Sequence, residues 1–181
     1  PGLRRESSLA QEKALRRDAF SAIHILAPYM GKRSCASSLV IANCEPLQRA
    51  WARENNIDAE DPDALLRLRI EAYKPDVLYL TNAIQYASSF IRSLSFRPKV
   101  IMGWRGADIP ITTDWSEFDV IVSGLPKLLT AARDLGAKSA ECFLPGMPSW
   151  IPKMVAGIPQ DVDVVFAGGI SPSQHGRRRE L

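Results

Sequence analysis

Short runs of apolar residues alternate along this chain with longer segments whose apolar positions recur at helical spacing. A short apolar run bounded by polar or turn-forming residues is typical of a strand that is covered on both faces of a sheet. On this pattern we predict five strands, at residues 38–42, 77–80, 99–102, 119–122 and 140–144.

The segments between these runs predict helices, and two of them carry clear start signals. Ser8 followed by Gln11 fits a capping box, in which two side chains bond to the first turn of a helix. Asp61 followed by Pro62 combines a preferred cap with a proline at the first helical position. The predicted helices are residues 8–27, which Pro28 would end, a segment that starts at Pro46, residues 62–73, residues 87–94, and a segment from Pro126 to a glycine cap at Gly136.

Strands that alternate with helices predict an α/β fold with a Rossmann-like, mostly parallel sheet and helices on both faces. Four prolines and two glycines between residues 145 and 160 indicate a linker. We therefore predict four regions: an N-terminal helix and loop packed on the domain at residues 1–35, a Rossmann-like domain at 36–144, an interdomain linker at 145–162, and the first strand and helix start of a second, truncated Rossmann-like domain at 163–181.

Composition narrows the class of protein without naming a function. The chain is 46% hydrophobic and 24% charged, which is typical of globular proteins, and its net charge of +3 is too small to predict a nucleic-acid partner. Three cysteines without CxxC spacing argue against a disulfide framework or a zinc site. Neither a transmembrane run of about 20 apolar residues nor a signal peptide is recognisable. These features predict a cytoplasmic protein.

Several side chains follow the predicted strands, where ligands of parallel α/β sheets bind. Their amide, hydroxyl, indole and guanidinium groups suit a sugar or another polyol through hydrogen bonds and stacking. The alternative for Asn43, Asn82 and Ser123 is that each caps the helix after it, and the alternative for Trp104 is packing beneath a loop. The predicted substrate-binding residues are Asn43, Asn82, Gln85, Trp104, Arg105 and Ser123.

Signatures of other enzyme classes do not occur in the chain. There is no GxxxxGK[ST] phosphate loop and no GxSxG elbow, and the first predicted strand is not followed by GxGxxG, which disfavours a dehydrogenase or epimerase. Asp161-Val162-Asp163 has the DxD spacing of some metal sites, but it precedes a predicted strand instead of following one. We therefore expect no metal at these residues.

Four segments resemble, in order and spacing, the N-terminal half of a GT-B glycosyltransferase. They are LVIAN at residues 39–43, KPDVLYL at 74–80, FDVIVS at 118–123 and VVFAGG at 164–169. The resemblance is to the bacterial group that includes the spore-maturation glycosyltransferases. It implies a two-domain enzyme in which residues 36–144 contact the acceptor and a second domain holds a nucleotide-sugar donor.

The resemblance also implies where the chemistry takes place. The glycine loop after the second domain's first strand is expected near the donor phosphates, and a fixed cation usually replaces a metal, so that no cofactor beyond the nucleotide-sugar is expected. Asp108 and Glu45 are candidates for the catalytic base. The residues expected near the donor phosphates are Gly168, Gly169 and Ser171.

We therefore expect the N-terminal domain of a glycosyltransferase that acts on a carbohydrate or another hydroxyl-bearing acceptor. Alone the chain is expected to be inactive, and its tail at residues 163–181 to be displaced, disordered or paired with a neighbouring chain. The alternative is a non-catalytic α/β ligand-binding or regulatory module attached to another catalytic domain, such as a methyltransferase. A further βα run of about 150 residues after Leu181 would favour the enzyme.

Overall fold

The computed structural model of the protein describes residues 3–18, 27–30, 35–144, 146, 149–159 and 161–163. The chain divides into two units, Pro1–Met147 and Pro148–Leu181. The predicted second-domain segment at residues 163–181 lies outside the described residues apart from Asp163, and so do Gly168, Gly169 and Ser171. The described part of the second unit contains one short helix, α7 (Ile151–Val155), within the predicted linker.

Four parallel strands of the first unit form one sheet, in the same order as in the chain. Helices flank the sheet, which confirms the prediction of an α/β, Rossmann-like fold. The strands are β1 (Val77–Leu80), β2 (Val100–Trp104), β3 (Val120–Ser123) and β4 (Ser139–Cys142), each within two residues of its predicted start and end. The helices of this unit are α1 (Ser8–Asp18), α2 (Ala27–Met30), α3 (Glu45–Glu54), α4 (Pro62–Tyr73), α5 (Ser88–Arg92) and α6 (Pro126–Asp134), preceded by a 3-10 turn at Leu3–Arg5.

The strand predicted at residues 38–42 is wrong. Val40 and Ala42 are partly buried against the core, as their apolar character predicts. However, the Ile41 carbonyl accepts hydrogen bonds from Gln48 Nε2 at 2.7 Å and from the Cys44 N–H at 3.1 Å. These local donors satisfy the Ile41 carbonyl, which therefore needs no partner from a neighbouring strand, and the segment ends in a turn at residues 42–43.

The N-terminal helix also differs from its prediction. The cap is Ser7, whose hydroxyl accepts the Ala10 N–H at 3.2 Å, whereas Ser8 bonds through both its N–H and its hydroxyl to Glu54 of α3, at 2.7 and 2.6 Å. Residues 19–26 lie outside the described residues. Pro28 lies inside α2 instead of ending a helix. Proline is tolerated in the first turn of a helix, because the backbone N–H groups there have no intrahelical acceptor.

Two predicted helix ends are confirmed with their caps. Asp61 accepts the Ala64 N–H at 2.8 Å and starts α4 as predicted. Gly136 follows α6 with a φ of +98°, a left-handed conformation that glycine adopts without steric cost. A local signal therefore marks the start of α4 and the end of α6.

The main hydrophobic cluster lies against one face of the sheet. Leu78 of β1, Ile101 of β2 and Ile121 of β3 point to this face and are almost completely buried. Residues of the flanking helices and of the loop before β3 complete the same core, namely Leu66, Ile70, Ile91, Trp115, Phe118 and Ala132. This core holds the four strands together. Because the strands are parallel, their carboxyl ends lie on the same edge of the sheet.

Ion pairs connect neighbouring strands at the opposite, amino edge. Lys99 lies 2.8 Å from Asp76, and Lys138 lies 2.7 Å from Asp119, so each pair joins the starts of two adjacent strands. Asp119 also accepts the Ile101 N–H at 2.8 Å. Burial acts to raise the pKa of Asp119, but the hydrogen bonds from Lys138 and from the Ile101 N–H outweigh it and lower this pKa below its usual value.

The lowered pKa of Asp119 predicts a pH dependence of stability. A carboxyl group with a lower pKa in the folded state contributes stability above its unfolded pKa of about 3.9, and the contribution is lost as the pH falls through the folded pKa. We expect Asp119→Asn to lower the free energy of unfolding by about 1 kcal/mol at neutral pH, and the difference from the wild type to disappear as the pH falls through the folded-state pKa of Asp119. Urea unfolding across this range measures it.

Asp58→Asn is the matched control, because Asp58 is exposed in the loop before α4. It should change the free energy of unfolding by less than about 0.5 kcal/mol at either end of the range. An Asp119→Asn difference that is constant with pH would show that the charge of Asp119 does not stabilise the sheet.

Candidate functional site

The carboxyl ends of the four strands lie on one edge of the sheet, because the strands are parallel. In the strand order observed, no reversal occurs among the four strands, so the described sheet contains no switch point of the doubly wound type. The polar side chains that follow the strands therefore indicate the candidate site. Those after β1 are hydrogen-bonded to one another.

Three polar side chains meet at the end of β1. Asn82 Nδ2 lies 3.2 Å from Gln85 Oε1, and the Gln85 N–H donates to Asn82 Oδ1 at 3.3 Å. Gln85 Nε2 in turn donates to Asp63 Oδ1, in the first turn of α4, at 3.0 Å. The structure thus brings together two predicted residues and adds a carboxylate that lies 22 positions earlier in the chain.

Tyr86 directly follows Gln85 in the chain and adds a buried aromatic side chain to this group. Its ring lies 4.9 Å from that of Phe90. Burial, together with the negative charge of Asp63, raises the pKa of Tyr86 to about 12. The hydroxyl is therefore protonated at neutral pH. We call Asp63, Asn82, Gln85 and Tyr86 the carboxyl-edge cluster.

A small hollow lies beside the start of α4. Its volume of about 80 Å³ is well below the roughly 300 Å³ of an ordinary ligand pocket. Glu45, a candidate base, is paired there with Arg49 at 2.8 Å. The hollow is lined by Ala42, Asn43, Glu45, Gln48, Arg49, Glu60, Pro62 and Leu65.

Gln48 holds the loop that presents Asn43 to this hollow. The Gln48 side chain is buried, and it donates to the Ile41 carbonyl while its Oε1 accepts from Arg69 Nη1 at 3.2 Å. Arg69 itself stacks on the Trp51 ring, with its guanidinium carbon 5.0 Å from the ring centroid. A chain of contacts through α3 and α4 therefore fixes the position of Asn43, whose side chain is exposed.

Trp104 and Arg105 at the end of β2 hold the loop that follows them. Arg105 Nε donates to the carbonyls of Ala107 and Asp108 at 2.9 and 3.1 Å, and Arg105 Nη2 also donates to the Asp108 carbonyl. The half-buried Trp104 ring packs on Gly106, where an added Cβ would lie 2.7 Å from Trp104 Cζ2. The Arg105 guanidinium is therefore hydrogen-bonded to its own loop.

Two further predicted residues lie in contrasting surroundings. Ser123, at the end of β3, is completely buried, and its hydroxyl accepts the Leu125 N–H at 3.1 Å in the turn before α6. Asp108, the other candidate base, is almost fully exposed and lies 3.7 Å from Lys127 Nζ. Neither side chain has a described hydrogen bond to the carboxyl-edge cluster.

Asp63 and Tyr86 were not among the residues predicted from the sequence. Asp63 precedes β1 and resembles an ordinary acidic residue in a helix first turn, which the helix dipole favours. Only the packing of α4 beside the end of β1 brings it to Gln85. An acidic first-turn residue on a helix that packs at the carboxyl edge is the signal that could have identified it.

Comparison of the chain with protein-family models, curated proteins and solved structures finds no match. Within the described ranges, no group of three or more His, Cys, Asp or Glu side chains could hold a metal ion. In the same part of the chain, no helix has the length and apolarity that crossing a bilayer requires. The functional assignment therefore depends on the carboxyl edge itself.

Proposed function

We propose that the first unit is the acceptor-side domain of a GT-B type glycosyltransferase, which transfers a sugar from a nucleotide-sugar to a carbohydrate or another hydroxyl-bearing acceptor without a bound metal. The observation that carries the proposal is the carboxyl-edge cluster. It presents a carboxylate and two amides, which are groups that bind hydroxyls, at the sheet edge where α/β proteins bind their ligands.

Two other features support this assignment. The order and spacing of the segments at residues 74–80 and 118–123, both of which contain observed strands, are similar to those of GT-B enzymes. The hollow beside α4 is too small to hold a whole nucleotide-sugar. Both favour an acceptor-side role for the first unit and a donor site outside its described residues.

Binding of nucleoside diphosphates to the complete gene product tests the proposal. We expect calorimetric titration with uridine, guanosine, adenosine, cytidine and thymidine diphosphates to detect binding of at least one, with unchanged affinity in EDTA, because fixed cations would hold the phosphates. Absence of binding for all five would overturn the proposal and favour a non-catalytic module. Affinity that is lost in EDTA would overturn its metal independence.

A further inference from the structure

The carboxyl-edge cluster retains unused hydrogen-bonding capacity at the surface. Asp63 accepts one described side-chain hydrogen bond, from Gln85, whereas a carboxylate has about four acceptor positions. Asp61 already caps α4 by accepting the Ala64 N–H, so the cap does not require Asp63. The Asp63 side chain is exposed and can accept from a ligand at its remaining positions.

The two amides supply donors beside this acceptor. Each amide nitrogen carries two N–H groups, and in each of Asn82 and Gln85 one of them is directed to a neighbour in the cluster. Both side chains are exposed, so the second N–H of each is accessible to a ligand. Carboxylate acceptors and amide donors therefore stand next to each other at the end of β1.

A pair of neighbouring hydroxyls complements this arrangement. Each hydroxyl donates one hydrogen bond and accepts others, so one can donate to the Asp63 carboxylate while the adjacent one accepts from an amide N–H. Bonds to the charged carboxylate are the stronger ones and orient the diol. A single hydroxyl or an apolar ligand would leave part of the cluster without a partner.

We propose that Asp63, Asn82 and Gln85 bind vicinal hydroxyl groups of a saccharide. The identification of this saccharide as the acceptor rests on the proposed function, whereas the binding of a vicinal diol does not. Tyr86 is not assigned a contact to the ligand, because its side chain is buried.

Saturation-transfer NMR tests the proposal on the complete gene product. The probes are the methyl glycosides of glucose, galactose, mannose and N-acetylglucosamine, each of which has vicinal hydroxyls. A methyl 2,3,4-trideoxyhexopyranoside, which has none, is the negative control. We expect at least one glycoside to bind and the trideoxy probe not to bind. Asp63→Asn should weaken glycoside binding about tenfold, since it removes the charge that accepts the hydroxyl.

The control Asp58→Asn changes another exposed aspartate near α4 and should leave glycoside binding unchanged. Gln85→Ala is the second variant, and it should also weaken binding while the unfolding curve confirms that the protein is folded. Wild-type affinity in both Asp63→Asn and Gln85→Ala, or no glycoside binding to the wild type, would overturn the diol site.

The two proposals can fail separately. Asp63→Asn should keep the nucleotide affinity of the wild type, because the donor phosphates are assigned to another part of the protein. Glycoside binding without binding of any nucleoside diphosphate would leave the diol site standing and overturn the glycosyltransferase. Nucleotide binding together with wild-type glycoside affinity in both Asp63→Asn and Gln85→Ala would leave the glycosyltransferase standing and overturn the diol site.

Discussion

Replacing Trp115 with alanine is expected to lower the free energy of unfolding by about 3–5 kcal/mol, the usual cost of removing a large buried aromatic side chain. The Trp115 side chain is completely buried and lies edge-to-face with Phe118, their ring centroids 6.5 Å apart. Its Nε1–H donates to the Ala83 carbonyl at 2.8 Å. The substitution would create a cavity and leave this buried carbonyl without its donor.

Urea unfolding followed by circular dichroism measures the loss. Tyr73→Ala is the matched control, because Tyr73 is an aromatic residue at the end of α4 that is 46% exposed. Its cost should be far smaller, since much of the ring is already in water. If Trp115→Ala destabilised the protein no more than Tyr73→Ala does, the loop before β3 would not belong to the core.

Gly103→Ala is expected to destabilise the protein by about 1–3 kcal/mol, because the core has no room for a methyl group at this position. An added Cβ would lie 2.6 Å from Ile121 Cδ1, 2.8 Å from Phe118 Cε1 and 2.9 Å from Ala83 Cβ. All three neighbours are completely buried, so none can move aside into solvent.

The double variant Gly103→Ala/Ile121→Val isolates the cause of this destabilisation. Valine lacks the Cδ1 atom that makes the closest contact, so the double variant should be more stable than the sum of the two single effects predicts. Gly146→Ala is the control, since an added Cβ there has no atom within 4 Å. Additive single effects in thermal or urea unfolding would show that crowding against Ile121 is not the reason.

Much of the secondary structure could be predicted because its causes are local. The apolar run of β1 and the cap and proline at the start of α4 lie within a few neighbouring residues, and both elements have their predicted bounds. The prediction failed at residues 38–42, where apolar character correctly indicated burial. What the pattern could not show is that the Gln48 side chain, seven positions from Ile41, donates to the Ile41 carbonyl, which a neighbouring strand would otherwise have to satisfy.

In the candidate site, too, the sequence predicted the positions of residues but not the partners of their side chains. Asn82 and Gln85 could be named from the sequence because they directly follow a predicted strand. Ser123 and Arg105 satisfied the same rule, but their surroundings direct the Ser123 hydroxyl to a turn and the Arg105 guanidinium to backbone carbonyls. Position after a strand places a residue at the edge, whereas the direction and the partners of its side chain depend on the residues packed around it.

The sequence by itself determined the α/β class, the four paired strands and the boundaries of the helices with strong start signals, because periodicity, caps and prolines act over a few residues. Only the tertiary structure decided that the strands follow chain order and that Asp63 meets Gln85. Those contacts depend on how α4 packs beside β1, and packing is set by the shapes of many distant side chains together. The local pattern thus predicts the elements, and the packed core decides which polar groups act together.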